Sequence, residues 1–363
     1  METKLKKYTK TTTATTATTA TRASRETRET RATRATRDSK ATRDSKASRY
    51  SRTSRYGIKK PNKIIKKQDY STFTITRKIS PKIPKKCIVN INNDIYIKNT
   101  NIKFVDLIGH GGSSIIIKAV DQKNGKEYSI KGINIGHSPH IKLEVNLMKK
   151  ALKFIKNNKN PHFIVYYNYF KCNKVNDDDI KGFYNYIFKE YFYIIMMELF
   201  EGDTTKLLYN INIDNIIKKN VNTQIFLSLL SFHILLKVKH NDVKHANFFY
   251  KKIKSNDYDY IHYIIYDINV YVKNMGYIIV IGDYGQCDID NTEENKLDDY
   301  SIIEELGIKN YFYKSINENP IKTIKNFTTE KEYILYLINH TDIFNKILPI
   351  DGITLNNKPF ILK

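Results

Sequence analysis

Alternating apolar and polar positions predict a series of short strands from about residue 88 onward. The runs CIVNIN, DIYI, KFVDLIG, SSIIIKAV and GKEYSIKGINI have this pattern, and Gly or Asn residues separate several of them. The next segment, HIKLEVNLMKKALKFI, instead has apolar residues at 141, 145, 148, 152 and 155, which is one face of a helix. We therefore expect strands first and one amphipathic helix after them.

The pattern changes further along the chain. YFYIIMMELF predicts a buried strand, NVNTQIFLSLLSFHILLKV a long apolar helix, and YIIVIGDYG a strand that ends in a Gly turn. The stretch SNDYDYIHYIIYDINVYVKNMGY, within an insertion over residues 252–277, predicts an extended hairpin. This order predicts an α+β protein with a small strand-rich lobe at about 101–199 and a larger helical lobe at about 203–363.

The N-terminal region differs in composition from the rest. Residues 1–60 carry 18 Lys and Arg against 5 Asp and Glu, and residues 61–100 carry 9 against 2, so these 100 residues hold +20 of the formal net charge of +24. Residues 1–56 are low in complexity, repeat ATRDSK and almost lack large apolar residues, which predicts a disordered basic tail. Residues 57–100 predict a basic connector. The tail would contact nucleic acid or an anionic surface weakly, unless it is a repeat expansion without a specific role.

Cysteine usage and hydropathy restrict the class of protein. The three cysteines lie far apart with no CxxC pair, so we expect neither a disulfide framework nor a zinc site, and a reducing, cytoplasmic compartment. No run of 18 apolar residues predicts a membrane span, and no apolar signal core follows METKLKKYTK.

Two stretches among the early strands could bind an anion. Glycines at 109, 111 and 112 would let the backbone approach phosphate closely, although a hairpin tip explains such a cluster equally well. Lys131 lies in the apolar strand YSIKG, where it either extends to solvent or enters a cleft. Glu144 on the following helix is then a candidate partner for Lys131, or else a solvated helix residue.

Two later stretches concentrate acidic and amide side chains. HNDVKHAN places Asp242, Lys244 and Asn247 within six residues, and Asp283 ends the strand YIIVIG. Carboxylate and amide oxygens are ligands for a hard cation such as Mg²⁺. A polar loop and a common Asp-x-Gly turn remain the simpler interpretations of each motif alone.

Taken in order, these segments resemble the eukaryotic-type protein kinase family, including divergent kinases of large DNA viruses. The glycine loop of that family is similar to GHGGSSIIIKAV, its V-A-I-K strand to YSIK, and its helix with the partner Glu to LEVNLM. Its catalytic loop is similar to HNDVKHAN, and its D-F-G motif to DYG. IIMMELFEGD resembles the strand and hinge between the lobes, with Met197 as gatekeeper. The resemblance covers about residues 100–305, and the two later motifs are its specific part.

The resemblance implies an ATP- and Mg²⁺-dependent Ser/Thr protein kinase with a bilobal fold. Asp242 would orient a hydroxyl of a protein substrate and accept its proton, and Lys244 would neutralise the transferred phosphate. Asn247 and Asp283 would hold Mg²⁺. Lys244, two residues after Asp242, is typical of Ser/Thr kinases. A viral origin would extend the expected location to a host cytoplasm or a virion.

The same resemblance implies a nucleotide site. Lys131, fixed by Glu144, would bind the α- and β-phosphates beneath the glycine loop. The adenosine contacts would come from apolar side chains of Ile108, Ile116, Ile130 and Phe249, from backbone groups of Glu198 and Phe200, and from the Asp203 carboxylate at the ribose.

Several features depart from the family pattern. Asn241 replaces the usual Arg of the catalytic loop, which makes control through a phosphorylated activation loop doubtful. No A-P-E follows DYG, and Asp299 or Asp298 soon follows as the expected support of the catalytic loop. Only 80 residues follow Asp283, which predicts a truncated helical lobe.

Three other functions remain open. A small-molecule kinase of the aminoglycoside or choline type also has an H-x-D-x-x-x-x-N loop and would fit the short activation segment. A catalytically inactive pseudokinase scaffold would fit the tail but not the retained polar residues. A protein that binds nucleic acid through the tail alone would leave those residues without a purpose.

Overall fold

The computed structural model describes residues 87–92, 94–111, 114–134, 141–172, 192–209, 213–257, 259–289, 292–303 and 322–363. The predicted tail over 1–56 and most of the 57–100 connector lie outside these residues. Within them, no helix is both long and apolar enough to cross a membrane.

A seven-stranded antiparallel sheet forms the first part of the fold. Its strands are β1 (Ile88–Ile91), β2 (Asp94–Ile97), β3 (Ile102–His110), β4 (Ser114–Asp121), β5 (Glu127–Asn134), β6 (Tyr166–Cys172) and β7 (Phe192–Glu198). Along the sheet they follow the order β1-β2-β3-β4-β5-β7-β6. The predicted strands in this region are confirmed. Strand β4 buries one face, as its alternation predicts, whereas β5 is buried on both faces and β3 is exposed from Val105 to Ile108.

Helix α1 (Ile141–Lys156) follows β5 and confirms the predicted amphipathic helix. Ile141, Val145, Met148 and Ile155 are buried, and Leu152 packs partly buried against the same core. These are the positions that the helical spacing selected. The buried face also includes Glu144, which is therefore not a solvated helix residue.

A disulfide links the two ends of the seven-stranded sheet. Cys87 precedes β1 and Cys172 ends β6, and the two sulfurs are bonded across 85 residues of sequence. The expectation that no disulfide forms is wrong, because the sheet curls and brings its first and last strands together. The argument from cysteine spacing for a reducing compartment is therefore no longer valid.

The helical part contains α2 (Thr204–Leu208), α3 (Asn215–Ser231), α4 (Glu293–Ile303) and α5 (Glu330–His340). The long apolar helix is confirmed as α3, but it begins earlier than its apolar run. The Asp214 side chain caps it by accepting a hydrogen bond from the amide of Ile216. A wider π-helical turn over Phe232–Leu236 ends it, and Lys237 follows in the left-handed region with φ of 59°.

Two smaller sheets complete the fold. One consists of β8 (Gly202–Asp203), β9 (Phe248–Lys252) and β12 (Tyr277–Ile281). The other contains β10 (Asp259–Ile265), β11 (Ile268–Lys273), β13 (Ile353–Thr354) and β14 (Phe360–Leu362). Strands β10 and β11 pair antiparallel, so the predicted hairpin in the insertion is confirmed. The last two strands pair parallel with β10, and the architecture as a whole is a mixed α+β fold.

Candidate active site

Lys131 is the centre of a buried ionic network. It lies in β5 with 7% of its surface exposed, and its Nζ is 2.7 Å from Glu144 Oε1 and 2.7 Å from Asp283 Oδ1. The expected pairing of Lys131 with Glu144 is present. One strand, one helix and one turn, far apart in sequence, thus meet at a single ammonium group.

The charges of this network act on one another. Burial opposes the charged form of Lys131, but the Glu144 and Asp283 carboxylates outweigh it and raise the pKa of the ammonium. Burial raises the pKa of Glu144, and Lys131 opposes that shift only in part. Burial also acts against ionisation of Asp283, yet Lys131 lowers the pKa of this carboxyl overall. Lys131 and Asp283 therefore remain charged at neutral pH.

The turn that carries Asp283 requires glycine at one of its two glycine positions, Gly282. A Cβ on Gly282 would lie 2.5 Å from side-chain atoms of Ile164 and Phe249, so only glycine fits between them. A Cβ on Gly285 would lie 3.4 to 3.9 Å from Asp283 Oδ1, Glu144 Oε2 and Lys131 Nζ. Asp283 itself has a left-handed backbone, with φ of 57°. The distances at Gly285 are ordinary van der Waals distances, so the space around the turn requires glycine at 282 and not at 285.

The catalytic-loop candidates meet one another beside this turn. Asp242 accepts hydrogen bonds from Lys244 Nζ at 2.7 Å and from Asn247 Nδ2 at 2.8 Å. The Asn247 carbonyl accepts from the amide of Gly282 at 2.9 Å, which places Asn247 next to the Asp283 turn. Because the Asn247 amide nitrogen faces Asp242, its side-chain oxygen points away from that carboxylate.

The residues fit a bound Mg²⁺–nucleotide by the chemistry of their donors. Asn247 offers an amide oxygen and Asp283 a carboxylate whose side chain is 40% exposed, and both are hard ligands that Mg²⁺ accepts. Among the described residues, no group of three His, Cys, Asp or Glu side chains could hold a metal alone. A cation here would thus require further oxygens, such as those of phosphate groups.

Asp299 supports the backbone of the catalytic loop. Its Oδ2 accepts from the amide of His240 at 2.7 Å, and its Oδ1 accepts from the amide of Asn241 at 3.1 Å. Asp298, the alternative from the sequence, pairs instead with Lys239 at the surface. The Asn241 side chain donates to the carbonyl of Gln286 at 3.2 Å, so this loop reaches the segment after DYG without an arginine.

A second buried network lies behind Asp299, and sequence reasoning missed it. His233 Nε2 donates to Asp299 Oδ2 and His233 Nδ1 to Glu330 Oε1, each at 2.9 Å. The Tyr300 hydroxyl donates to Glu330 Oε1 at 2.7 Å. Both ring nitrogens of His233 face carboxylates, so the ring is an imidazolium, and these carboxylates raise its pKa despite burial. The sequence feature that could have indicated this network is the single His in the apolar run SFHILL.

The candidate hinge is fixed through the side chain of Glu198. Its Oε1 accepts from the amide of Val165 at 2.8 Å, and its Oε2 accepts from Lys251 Nζ at 3.0 Å. Lys251 was not a sequence candidate. Phe200 stacks on Phe249 with 5.4 Å between ring centroids, which forms an aromatic surface after the hinge. Asp203 caps α2 by accepting from the amide of Lys206 at 3.1 Å.

The predicted glycine loop lies at the turn between β3 and β4, and the structure describes only part of it. Ile108 is 44% exposed, and Ile116 lies opposite Lys131 in the sheet and faces the same side. Gly109 pairs with Ile116, and the amide of Gly111 donates to Ser114, whereas Gly112 lies outside the described residues.

The expectation that Ile130 contacts the base is wrong. Ile130 follows the opposite face of β5 from Lys131 and is fully buried in the core of the first sheet. Ser129 and Met197 pair across the sheet on the Lys131 side, so Ser129 takes the position that was given to Ile130.

Comparison with known proteins adds no identity to this geometry. No protein-family model matches the chain, and no curated protein matches it either.

Proposed function

We propose that the chain is an ATP- and Mg²⁺-dependent Ser/Thr protein kinase with a bilobal, kinase-like fold. The main support is the meeting of Lys131, Glu144 and Asp283 at distances of 2.7 Å, next to a loop that carries Asp242, Lys244 and Asn247. These six residues come from four separate parts of the sequence. Phosphoryl transfer needs chiefly positioning and charge neutralisation, and this arrangement offers both.

Each side chain has a definite task in this proposal. Lys131, oriented by Glu144, binds nucleotide phosphates, and Asn247 and Asp283 provide the ligands for Mg²⁺, which supplies charge neutralisation when bound. Asp242 orients the acceptor hydroxyl and takes its proton. Lys244, whose side chain is 51% exposed, moves from the Asp242 carboxylate towards the transferred phosphate. Phe200, Phe249 and Ile108 provide apolar surface for the base.

A small-molecule kinase is the second candidate, and one observation favours it. The chain passes from Gly285 to the start of α4 at Glu293 with only a short segment between them, and Asp288 within it pairs with Lys239 in an isolated bridge. A protein substrate would have correspondingly little of this segment against which to dock. An alcohol of low molecular weight would need none of it.

Labelled ATP separates the candidates. The purified protein should transfer the γ-phosphate to itself or to a basic protein, and Asp283→Ala should abolish the transfer. Label in choline-like or aminoglycoside alcohols, and not in protein, would reverse the substrate class. Equal labelling by wild type and Asp283→Ala would indicate a contaminating kinase. No transfer by wild type to either class of acceptor would favour the pseudokinase.

A further inference from the structure

The segment between α1 and β6 contacts helix α3, the candidate hinge and the strand that leads to Asp283. Asn160 Nδ2 donates to Ser231 Oγ in α3 at 2.7 Å, and the amide of Val165 donates to Glu198 in the candidate hinge at 2.8 Å. Between them lies His162, which is fully buried.

His162 binds the strand that leads to Asp283 at two points. Its Nδ1 donates to the carbonyl of Ile279 at 2.7 Å, and its own carbonyl accepts from the amide of Ile281 at 3.0 Å. Strand β12 ends at Ile281, two residues before Asp283. Side chain and backbone of one residue thus connect the segment that follows α1 to the strand that leads to Asp283.

The remaining nitrogen of His162 is fixed by the inserted hairpin. Nε2 lies 2.8 Å from the hydroxyl of Tyr263 in β10, and the two rings stack with an angle of 13°. The carbonyl of Ile279 can only accept, so Nδ1 carries the proton and Nε2 accepts from Tyr263. Burial lowers the pKa of His162 to about 4, which keeps this neutral form at physiological pH.

Tyr263 is itself held in place by the end of the chain. It is fully buried, and its ring packs against that of Phe360 with 5.5 Å between centroids. Phe360 begins β14, which pairs with β10 from Tyr263↔Phe360 onward. The insertion and the C-terminal strand therefore form one support beneath His162.

On the basis of the proposed kinase function, we propose that Tyr263 is a positioning residue that acts through His162 on the spacing of Asp283 from Glu144 and Lys131. The hairpin inserted between Asn247 and Asp283 would then support the site structurally. The Tyr263 hydroxyl donates to Nε2 of His162 and so keeps the proton on Nδ1. From Nδ1, His162 donates to the carbonyl of Ile279 in β12. Without the hydroxyl, Nε2 lacks its donor and the imidazole can rotate or change tautomer.

Tyr263→Phe tests this, with Tyr271→Phe as its matched control. Tyr271 lies on the outer face of the same hairpin, where it stacks on His262 at 4.5 Å. Well below the melting temperature, Tyr263→Phe should lower kcat for phosphoryl transfer about three- to tenfold and leave KM for the acceptor within about twofold. Amide exchange should rise in residues 159–165 and 277–283, and Tyr271→Phe should change neither quantity.

Substitution of His162 supplies a second readout that a general loss of packing would not give. Gln retains one donor and one acceptor, so His162→Gln should keep at least about half of the turnover. His162→Leu should lose as much as Tyr263→Phe or more. Equal losses in the Gln and Leu variants, or a loss in Tyr263→Phe that equals its unfolded fraction, would overturn the inference.

The test of the Tyr263 positioning role can fail or succeed independently of the test of the kinase function. A wild-type protein that transfers no phosphate would overturn the kinase proposal. The exchange experiment would still decide whether Tyr263 orders the two segments. Identical exchange in Tyr263→Phe and Tyr271→Phe would then overturn the positioning role.

Discussion

Two buried ionic networks lie on either side of the loop at Asp242, and they differ in how completely they are paired. In the network at His233, the carboxylates of Asp299 and Glu330 accept hydrogen bonds from two ring nitrogens, two amides and the Tyr300 hydroxyl. In the network at Lys131, Oε2 of Glu144 is buried without a hydrogen-bond partner among the described residues.

This difference indicates different roles. A buried carboxylate oxygen without a partner costs free energy, and such groups are rare away from functional sites. Asp283 completes the contrast, because its side chain is 40% exposed while that of Asp299 is fully buried. We propose that the fully paired network stabilises the fold and that the incompletely paired one binds a ligand. Substitutions should therefore affect stability in one network and activity in the other.

The largest expected effect is on catalysis. Asp283→Asn should reduce phosphoryl transfer by about 10³-fold or more, because the amide is a poor ligand for Mg²⁺. The free energy of unfolding should change by less than about 1 kcal/mol, since the Asp283 side chain is 40% exposed and its ion pair is screened by water. Turnover and denaturant unfolding measure the two quantities, with the exposed Asp351→Asn as control. If the lost transfer were explained by a lower free energy of unfolding, so that most of the variant is unfolded, the distinction between the networks would be wrong.

The next effect is on stability in the other network. Glu330→Gln should lower the free energy of unfolding by about 3 kcal/mol, because it leaves the buried His233 charge with one carboxylate. Glu332→Gln alters an exposed carboxylate on the same helix and should have a much smaller effect. Transfer by the folded fraction of Glu330→Gln should stay within about threefold of wild type. A Glu330→Gln variant as stable as Glu332→Gln would contradict the structural role.

The stability lost in Glu330→Gln should also depend on pH. His233 has a pKa raised above 6.5, so its contribution is complete below pH 6.5 and is lost as the pH rises through the raised value. Glu330 has a pKa lowered below 4.5, so its contribution is complete above pH 4.5 and is lost as the pH falls through the lowered value. The difference from wild type should therefore be largest between pH 4.5 and 6.5. A difference independent of pH would mean that this pair carries no charge.

The smallest effect concerns the hinge. Lys251→Met keeps the length of the side chain but removes the cation that pairs with Glu198. We expect KM for ATP to rise about three- to tenfold with kcat nearly unchanged, because the hinge would bind the nucleotide in both ground and transition states. Lys252→Met, on the exposed neighbouring residue, is the control. An unchanged KM would separate this pair from nucleotide binding.

Much of the fold could be predicted because its signals are local. The strands and α1 follow from alternation and helical spacing, and these faces are buried in the structure. The same alternation rule would have excluded Ile130, because adjacent residues of a strand face opposite sides of the sheet. That error came from the resemblance and not from the pattern.

The rest depends on contacts between distant residues, which a single sequence does not show. Cys87 and Cys172 meet only because the sheet curls, and no spacing between them signals it. Glu330 reaches His233 from 97 residues away, and Tyr263 reaches His162 from 101 residues away. Motif spacing could select Lys131, Glu144, Asp283 and Asp299, whereas the side chains behind them, such as Glu330 and Tyr263, required the structure.

The most direct test of the account is the Mg²⁺ dependence of nucleotide binding, measured by calorimetry with ADP on wild type and Asp283→Asn. Mg²⁺ should tighten ADP binding to wild type by about tenfold or more, and this gain should be absent in Asp283→Asn. Absence of ADP binding to wild type, or an equal gain from Mg²⁺ in both proteins, would contradict the claim that Lys131, Asn247 and Asp283 surround a Mg²⁺–nucleotide.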